Sequence, residues 1–476
     1  MKTLRAWSLR HARGLSCLYR RVAAVVPALA PLVRRLGTAR SARLVLPLER
    51  RLKHAFFDCR MCGDCRLSVT GMACPMGCGK QMRNGPCGGV RHDGGCELRP
   101  EMRCVWLDAT EGDRRIDADH TPDWTRRVPP LDWRGQGRST WIEAIVAPPP
   151  LRVHKSKAPP AAVPAEPASA FERACRAWHA ERRFVVTVEI APPDSPDPRP
   201  LVERARRFDG LVDAINITDG AGANCHMSSV AAASVLAAAG LEPVCQVGCR
   251  DRNRIAVQGD VLGAAALGVR NVLCLTGDDV SQGDHPQAKP VFDLDAVNLL
   301  HILRGMRDEA RYASGRPLDA APRLFLGATA NPFVAPYAER VANLERKIDA
   351  GAQFIQTQFC FDLALLDDFM RAVRERGLHE RAAIIVGVGT LASAKALRWM
   401  ADHVPGVHVP ESVTARIAAA ADPRAEGLRV AVETIRALRG IEGVAGVHLM
   451  GHRNEAALAQ IIVDAGLRTP RVAEAA

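Results

Sequence analysis

Eight short apolar, β-branched runs recur along the C-terminal part of this chain, with amphipathic helical stretches between them. The runs are Phe184–Ile190, Leu211–Ile217, Pro243–Cys249, Arg270–Thr276, Arg323–Ala328, Gln353–Phe359, Ala383–Val388 and Gly446–Met450. Helical spacing of apolar residues marks Met227–Ala239, Asn253–Leu267, Val341–Ala350, Asp362–Glu375 and Glu426–Leu438. Parallel strands buried on both faces read as unbroken apolar runs, and eight of them alternating with helices over about 300 residues predict an α/β fold of the (β/α)8 barrel type. A doubly wound sheet would call for a Gly-rich phosphate turn. The nearest stretch, Gly220-Ala221-Gly222-Ala223, does not fit G-x-G-x-x-G.

Polar residues fall where a barrel would use them. Glu189 ends the first run, Thr218 and Asp219 the second, Gln246 and Cys249 lie on the third, Asp278 follows the fourth, Asn331 the fifth, and Gln358 closes the sixth. Barrel enzymes carry their sites at the C-terminal ends of strands, so these residues on six strands predict a mouth. In RNVLCLTGDD, Arg270–Asp279, the strand runs straight into a loop. Gly277 has no Cβ there and lets a flat ligand approach the backbone, while Asp278 sets a carboxylate at the rim.

Upstream of the barrel, expected over residues 171–476, three other regions are predicted. Residues 1–53 hold 13 Lys and Arg against the single acid Glu49, which accounts for the whole formal charge of +12 and leaves 51 basic and 51 acidic residues in the rest. A neutral body with 5% aromatic residues argues against nucleic-acid binding. The longest apolar run of the arm, Val22–Leu32, contains Pro27 and Pro31 and is too short to span a bilayer, so no transmembrane helix is expected. The arm is read as an amphipathic docking helix in preference to a targeting segment, in a cytoplasmic protein. Residues 54–142 form a Cys-rich module with Cys59-x2-Cys62-x2-Cys65, followed by Cys74, Cys78, Cys87, Cys96 and Cys104. Such clustering without a signal peptide favours metal over disulfides. Two-residue spacings let thiolates converge, which suits an iron–sulfur cluster, with zinc as the alternative and His92 as a spare ligand. Trp106, Trp124, Trp133 and Trp141 are spread through residues 105–142, which are expected to be irregular. A Pro/Ala-rich linker covers 143–170.

Five motifs then carry a family resemblance: VEIAPP at 188–193, NITDGAGAN at 216–224, LTGDD at 275–279, NLERKIDAGAQFIQTQFCFD at 343–362 and PGVHVPE at 405–411. Over residues 180–470 the chain resembles the methylenetetrahydrofolate reductases. CGDC, NGPCGG and GGCE resemble the small partner module found beside or fused to some of them.

The resemblance implies reduction of 5,10-methylenetetrahydrofolate to 5-methyltetrahydrofolate with a flavin, FAD or FMN, reduced by NADH or NADPH. It also leaves open the reverse oxidation in a demethylation pathway, or a catalytically retired electron-transfer or assembly subunit. Glu189 matches the general acid, and its apolar neighbours are expected to raise its pKa. Asp278 matches the carboxylate near flavin and pterin, and Gln358 the pterin-contacting glutamine. Asn343, Arg346 and Lys347 match the grip on the flavin diphosphate, at i, i+3, i+4 on one helix face. Thr218, Asp219, Gly220, Ala221 and Gly277 are expected along the flavin and nicotinamide through their backbone.

The sequence departs from the family where a flavin-facing histidine and an arginine are usual, at Gln246 and Thr276. It departs again at Gly389-Thr390, which replaces a Leu-Pro turn. Arg250 or Arg252 in the CRDRNR loop is expected to supply a replacement phosphate or folate-tail contact. Homo-oligomerisation, or docking of an electron-transfer partner through the arm and Cys module, is expected alongside folate and nicotinamide binding.

Overall fold

The computed structural model describes residues 2–91, 93–116, 128–146, 166–181, 183–335, 337–391, 393–404, 406–451 and 453–469; His92, Trp124, Pro405 and linker residues 147–165 lie outside them. The chain divides into two compact units. One comprises Met1–Pro86 with Gly94–Pro160, the other Cys87–Asp93 with Ala161–Ala476.

In the second unit, β1 (Val185–Ile190), β2 (Ala214–Ile217), β3 (Pro243–Gly248), β4 (Asn271–Leu275), β5 (Phe325–Ala330), β6 (Phe354–Phe359), β7 (Ala383–Gly389) and β8 (Val444–Met450) follow in chain order. They pair in parallel in that order, and β8 returns to β1 to close the barrel. All eight runs read from the sequence are strands, because each is apolar enough to be buried both against the helices and inside the barrel. The outer layer packs Val186, Val188 and Ile217 with helix residues such as Leu201, Leu236 and Leu300.

Closure at the bottom comes from a helix outside the βα repeat, Ala170–Glu181. Its Phe171, Cys175 and Trp178 pack onto Val185, Ala214, Val244, Leu273, Phe325, Phe354 and Ala383, all near strand starts. Phe171 meets the Phe354 and Phe325 rings edge-on at 5.0 and 5.5 Å. Burying such a ring stabilises the fold by about 2–3 kcal/mol. Gly327 makes room for this aromatic group, since a Cβ there would lie 2.2 Å from the Phe354 ring. With the N-terminal end filled, the open end of the barrel is the C-terminal one.

The first unit opens with helices. Ala12–Val25 and Ala30–Leu36 are joined by a 3-10 turn, Val26–Leu29, and Thr38–Phe57 follows. The structure differs from the sequence reading in the length of the arm's apolar run and in the regularity of 105–142. Taken as one run, Ala12–Leu36 has 25 residues and a mean hydropathy of 1.3 in its best window, so by length and composition alone it could cross a membrane. Pro27 and Pro31 do not interrupt it, because each lies in the first turn of its segment, where a missing N–H costs nothing. Nor is 105–142 irregular throughout: Val105–Ile116 and Thr140–Val146 are helices. Val105, Trp106, Ala109 and Thr110 form the buried face of the first, an amphipathic pattern that the surrounding charges obscured.

Candidate active site

Glu189, at the end of β1, points into the barrel mouth with 28% of its side chain exposed. Gln246 on β3 donates Nε2–H to Glu189 Oε2 at 3.0 Å, and His448 Nε2 on β8 lies 3.8 Å from the same oxygen. Beneath this carboxylate is a buried polar layer. His448 Nδ1 is 2.9 Å from Thr187 Oγ1, and Asn216 on β2 and Gln356 on β6 exchange amide hydrogen bonds of 2.6 and 3.1 Å. Gln356 Nε2 also reaches Thr187 Oγ1 at 3.2 Å. Strands two and six face each other across an eight-stranded barrel, so the amide pair spans its interior and floors the mouth.

His448, Asn216, Gln356 and Thr187 were not singled out from the sequence. The signal was there: each lies on the inward face at two-residue spacing, as Thr187 does from Glu189, Asn216 from Thr218 and Gln356 from Gln358.

One wall of the mouth is backbone. Thr218 is buried and its Oγ1 has no hydrogen-bond partner among the described residues. Asp219 is fully engaged, with Oδ2 accepting from Gly248 N at 2.8 Å and Arg252 at 2.6 Å, and Oδ1 accepting from Ser229. Gly220 (φ +57°) and Gly277 (φ +98°) take left-handed conformations, and a Cβ on Gly277 would lie 2.9 Å from Arg250 Cβ. Ala221 begins the short turn after Gly220, and Gly222 N donates to Asp278 Oδ2 at 2.9 Å, which pins that exposed carboxylate over the turn. The Thr276 hydroxyl accepts from Ala296 N at 3.3 Å, the first residue of helix Ala296–Glu309. Gln358 turns its Oε1 onto Phe359 N at 3.0 Å.

Arg250 and Arg252 do not present free guanidinium groups to the mouth. Arg250 pairs with Asp251 and donates to Gly220 O, while Arg252 pairs with Asp219 and Asp260. Their donors brace the segments after β2 and β3, so the replacement-contact expectation gives way to an architectural one. Cys249 is buried, and its N–H donates to the Leu275 and Thr276 carbonyls in the same brace.

A second group forms on helix Tyr337–Ala350, which follows β5. Asn343 and Arg346 are buried, and Lys347 donates to the Thr329 carbonyl at 2.7 Å. Burial pushes Arg346 down to about 10 and Lys347 to about 8. Two enclosed cations on one helix face, each less easily protonated than in water, form a site that an anion would relieve. Sequence reading missed Arg340 beside them, which donates to the Val334, Ala335 and Cys87 carbonyls. Asn331 Nδ2 donates to the Gly88 and Gly406 carbonyls, so Cys87 and Gly88 pack beside the same helix within the barrel unit.

The orphaned Thr218 hydroxyl, the glycine-lined backbone wall and the buried cations fit a flavin: an edge to accept from Thr218, a flat ring, and a diphosphate.

The eight cysteines do not act as one set. Cys59, Cys62, Cys65 and Cys74 line one cavity with Lys53. Cys74 hydrogen-bonds Cys59 and holds it below the ordinary thiol range, at about 6. Cys78, pushed up to about 12 by burial, has Cys104 and Cys96 as neighbours, whereas Cys87 belongs to the barrel unit. Among the described residues no three Cys, His, Asp or Glu side chains are close enough to hold a metal ion. Cys62 Sγ donates to Asp64 O, and Met61 N donates to Cys59 Sγ.

Comparison with known proteins gives two family matches. A model described as methylenetetrahydrofolate reductase matches residues 174–466, and one described as methylene-tetrahydrofolate reductase C terminal matches residues 39–134. A Caenorhabditis elegans protein described as a probable methylenetetrahydrofolate reductase (NADPH) is 26% identical over 191 residues, 39% of this chain and 26% of its own length. Methylenetetrahydrofolate reductase 2 of Schizosaccharomyces pombe is 26% identical over 245 residues, 48% of this chain and 36% of its own. The chain therefore matches a minor part of each of these relatives. A solved Clostridium thermocellum protein, described as binding two copies of 5-methyl-5,6,7,8-tetrahydrofolic acid, aligns with 61% of this chain and 96% of its own at 15% identity and a TM-score of 0.43.

Proposed function

This chain belongs to the methylenetetrahydrofolate reductase family, and from that premise we propose that it interconverts 5,10-methylenetetrahydrofolate and 5-methyltetrahydrofolate in the cytoplasm, with reduction as its main direction. The observation that carries the reading is Glu189, held in the mouth by Gln246 over a buried polar floor.

Flavin, when bound, supplies the hydride that it takes from NADH or NADPH. The chain does the rest. Glu189 gives a proton to the folate amine, so that the five-membered ring opens to an electrophilic iminium at the methylene carbon. Gln246 fixes the carboxyl orientation, and His448 behind it supplies a second polar contact. Asp278, anchored by Gly222, sets a negative charge where it stabilises that cation. Gln358 has an amide that both donates and accepts, suited to the pterin edge. Thr218, Asp219, Gly220, Ala221 and Gly277 offer backbone and one free hydroxyl to the flavin ring. Asn343, Arg346 and Lys347 hold its diphosphate, which favours FAD over FMN.

Within the first unit Cys59, Cys62, Cys65 and Cys74 line one cavity without standing close enough to ligate an ion, and we propose that a metal or iron–sulfur centre, on binding, draws these four thiols together. Iron, sulfide and zinc analysis of protein purified without oxygen tests that assignment.

Glu189→Gln tests the main reading. The variant keeps flavin and its reduction by NAD(P)H, and loses folate turnover by roughly two to four orders of magnitude. Equal loss of both half-reactions would refute the role given to Glu189.

A further inference from the structure

We propose that the N-terminal helical arm is a membrane-surface anchor, which lays the protein on a bilayer rich in anionic lipid. Leu18, Val22, Val25, Leu29, Leu32 and Leu36 follow one another at intervals of four, three, four, three and four residues, and each is between 47 and 69% exposed. That spacing puts them along one flank of the helical run Ala12–Leu36. On the next helix Leu44, Leu48 and Leu52 repeat the arrangement at intervals of four, all exposed. So many large apolar side chains in solvent, striped along successive helices, form a surface that water does not favour.

Charge selects the occupant. Residues 1–53 carry 13 basic side chains and one acid, and that acid, Glu49, is fully buried against Lys53. The exposed charge of the arm is therefore entirely positive. Arg21, Arg35, Arg43 and Arg51 stand beside the apolar stripes and Arg20 and Arg34 farther round the helix, all exposed and in no ion pair among the described residues. An apolar stripe flanked by unpaired arginines complements the two layers of an anionic leaflet, acyl chains below and phosphates above. A second copy of the same arm would meet it with like charge.

The helix lies along the surface and does not cross it. Its other flank is built into the protein: Ala12 and Leu15 pack with Leu67 and Met72, and Val26, Ala30 and Val33 pack with Ile142 and Ile145. Arg20 and Arg21 sit in mid-run, where a spanning helix would place them in hydrocarbon.

Flotation of the full-length protein with vesicles tests the assignment. Phosphatidylcholine mixed with phosphatidylglycerol should carry the protein to the top of the gradient, phosphatidylcholine alone should not, and salt should release it. Val25→Glu with Leu29→Glu and Leu32→Glu, all at exposed positions, should abolish flotation and leave the unfolding transition unchanged. Arg21→Gln, Arg35→Gln, Arg43→Gln and Arg51→Gln should each weaken partitioning about fivefold.

Absence of flotation with anionic vesicles overturns the proposal. So does equal, salt-resistant binding to neutral vesicles, which would mean insertion. A lipid-free dimer that dissociates in the triple variant, with no vesicle binding by the parent, would also overturn it, in favour of a second copy.

Discussion

Lys347→Met should make the flavin-free protein more stable while weakening its hold on flavin, two shifts of opposite sense from one substitution. The residue keeps some exposed surface, but its ammonium is enclosed, bonded to the Thr329 carbonyl, and its pKa falls from 10.5 to about 8, through burial first and then the charges of Arg340 and Arg346. A depressed lysine pKa means that the unfolded chain holds the proton more tightly than the folded one. The resulting penalty is present in full below pH 8 and fades as the pH rises toward 10.5. A shift of that size corresponds to roughly 3 kcal/mol at neutral pH, and losing the bond to Thr329 takes back about 1 kcal/mol. The variant should thus gain about 2 kcal/mol in urea denaturation at pH 7 and nothing above pH 10. Fluorescence titration with FAD should meanwhile show affinity lowered roughly tenfold to a hundredfold, the value of one charge-assisted contact to phosphate. Bound FAD should also flatten the pH dependence of the parent, because an adjacent diphosphate restores the lysine pKa. A variant that is less stable at pH 7, or one that binds FAD as the parent does, would refute the reasoning.

Gln356→Leu leaves Asn216 without its partner inside the barrel and should cost about 2–4 kcal/mol in urea denaturation, with Asn216→Leu in the same background recovering part of it. Gly277→Ala forces a Cβ against Arg250 at φ +98° and should lower stability by roughly 1–3 kcal/mol and weaken flavin binding; an unchanged melting curve would mean that the loop moves freely. Glu49→Gln strands the buried Lys53 beside the four-cysteine cavity and should cost about 3–5 kcal/mol in the first unit, read by differential scanning calorimetry.

The barrel was legible because its strands obey one rule eight times over. A misread of any single run, such as the start placed at Leu211 where β2 begins at Ala214, left the count and order intact. Glu189 and Asp278 were legible as polar residues ending apolar runs. His448 and Gln356 were not, because a polar residue within an apolar run looks like noise until the inward face is known. The cysteines were legible as a cluster and no further. Spacing along the chain left open how the eight thiols divide, whereas in the fold the backbone carries Cys87 onto the barrel unit and Cys59, Cys62, Cys65 and Cys74 line one cavity. Arg250 and Arg252 failed for a related reason, since Asp219, Asp251 and Asp260 nearby in sequence or space claim their guanidinium groups first.

The helix beneath the barrel bears on how this protein can be dissected. The family match begins at residue 174, inside that helix, three positions after Phe171. A fragment cut at that boundary would lose its stopper, and the Phe325 and Phe354 rings would line an open greasy socket at the underside. It would also lose Ser169, whose hydroxyl donates to Asn271 at 2.6 Å and ties the start of the helix to the foot of β4. Such a fragment would retain every residue named for chemistry at the mouth and still behave as a sticky, half-folded protein. An expression boundary for the barrel therefore belongs ahead of Ser169, set by the plug and not by the repeat that it seals.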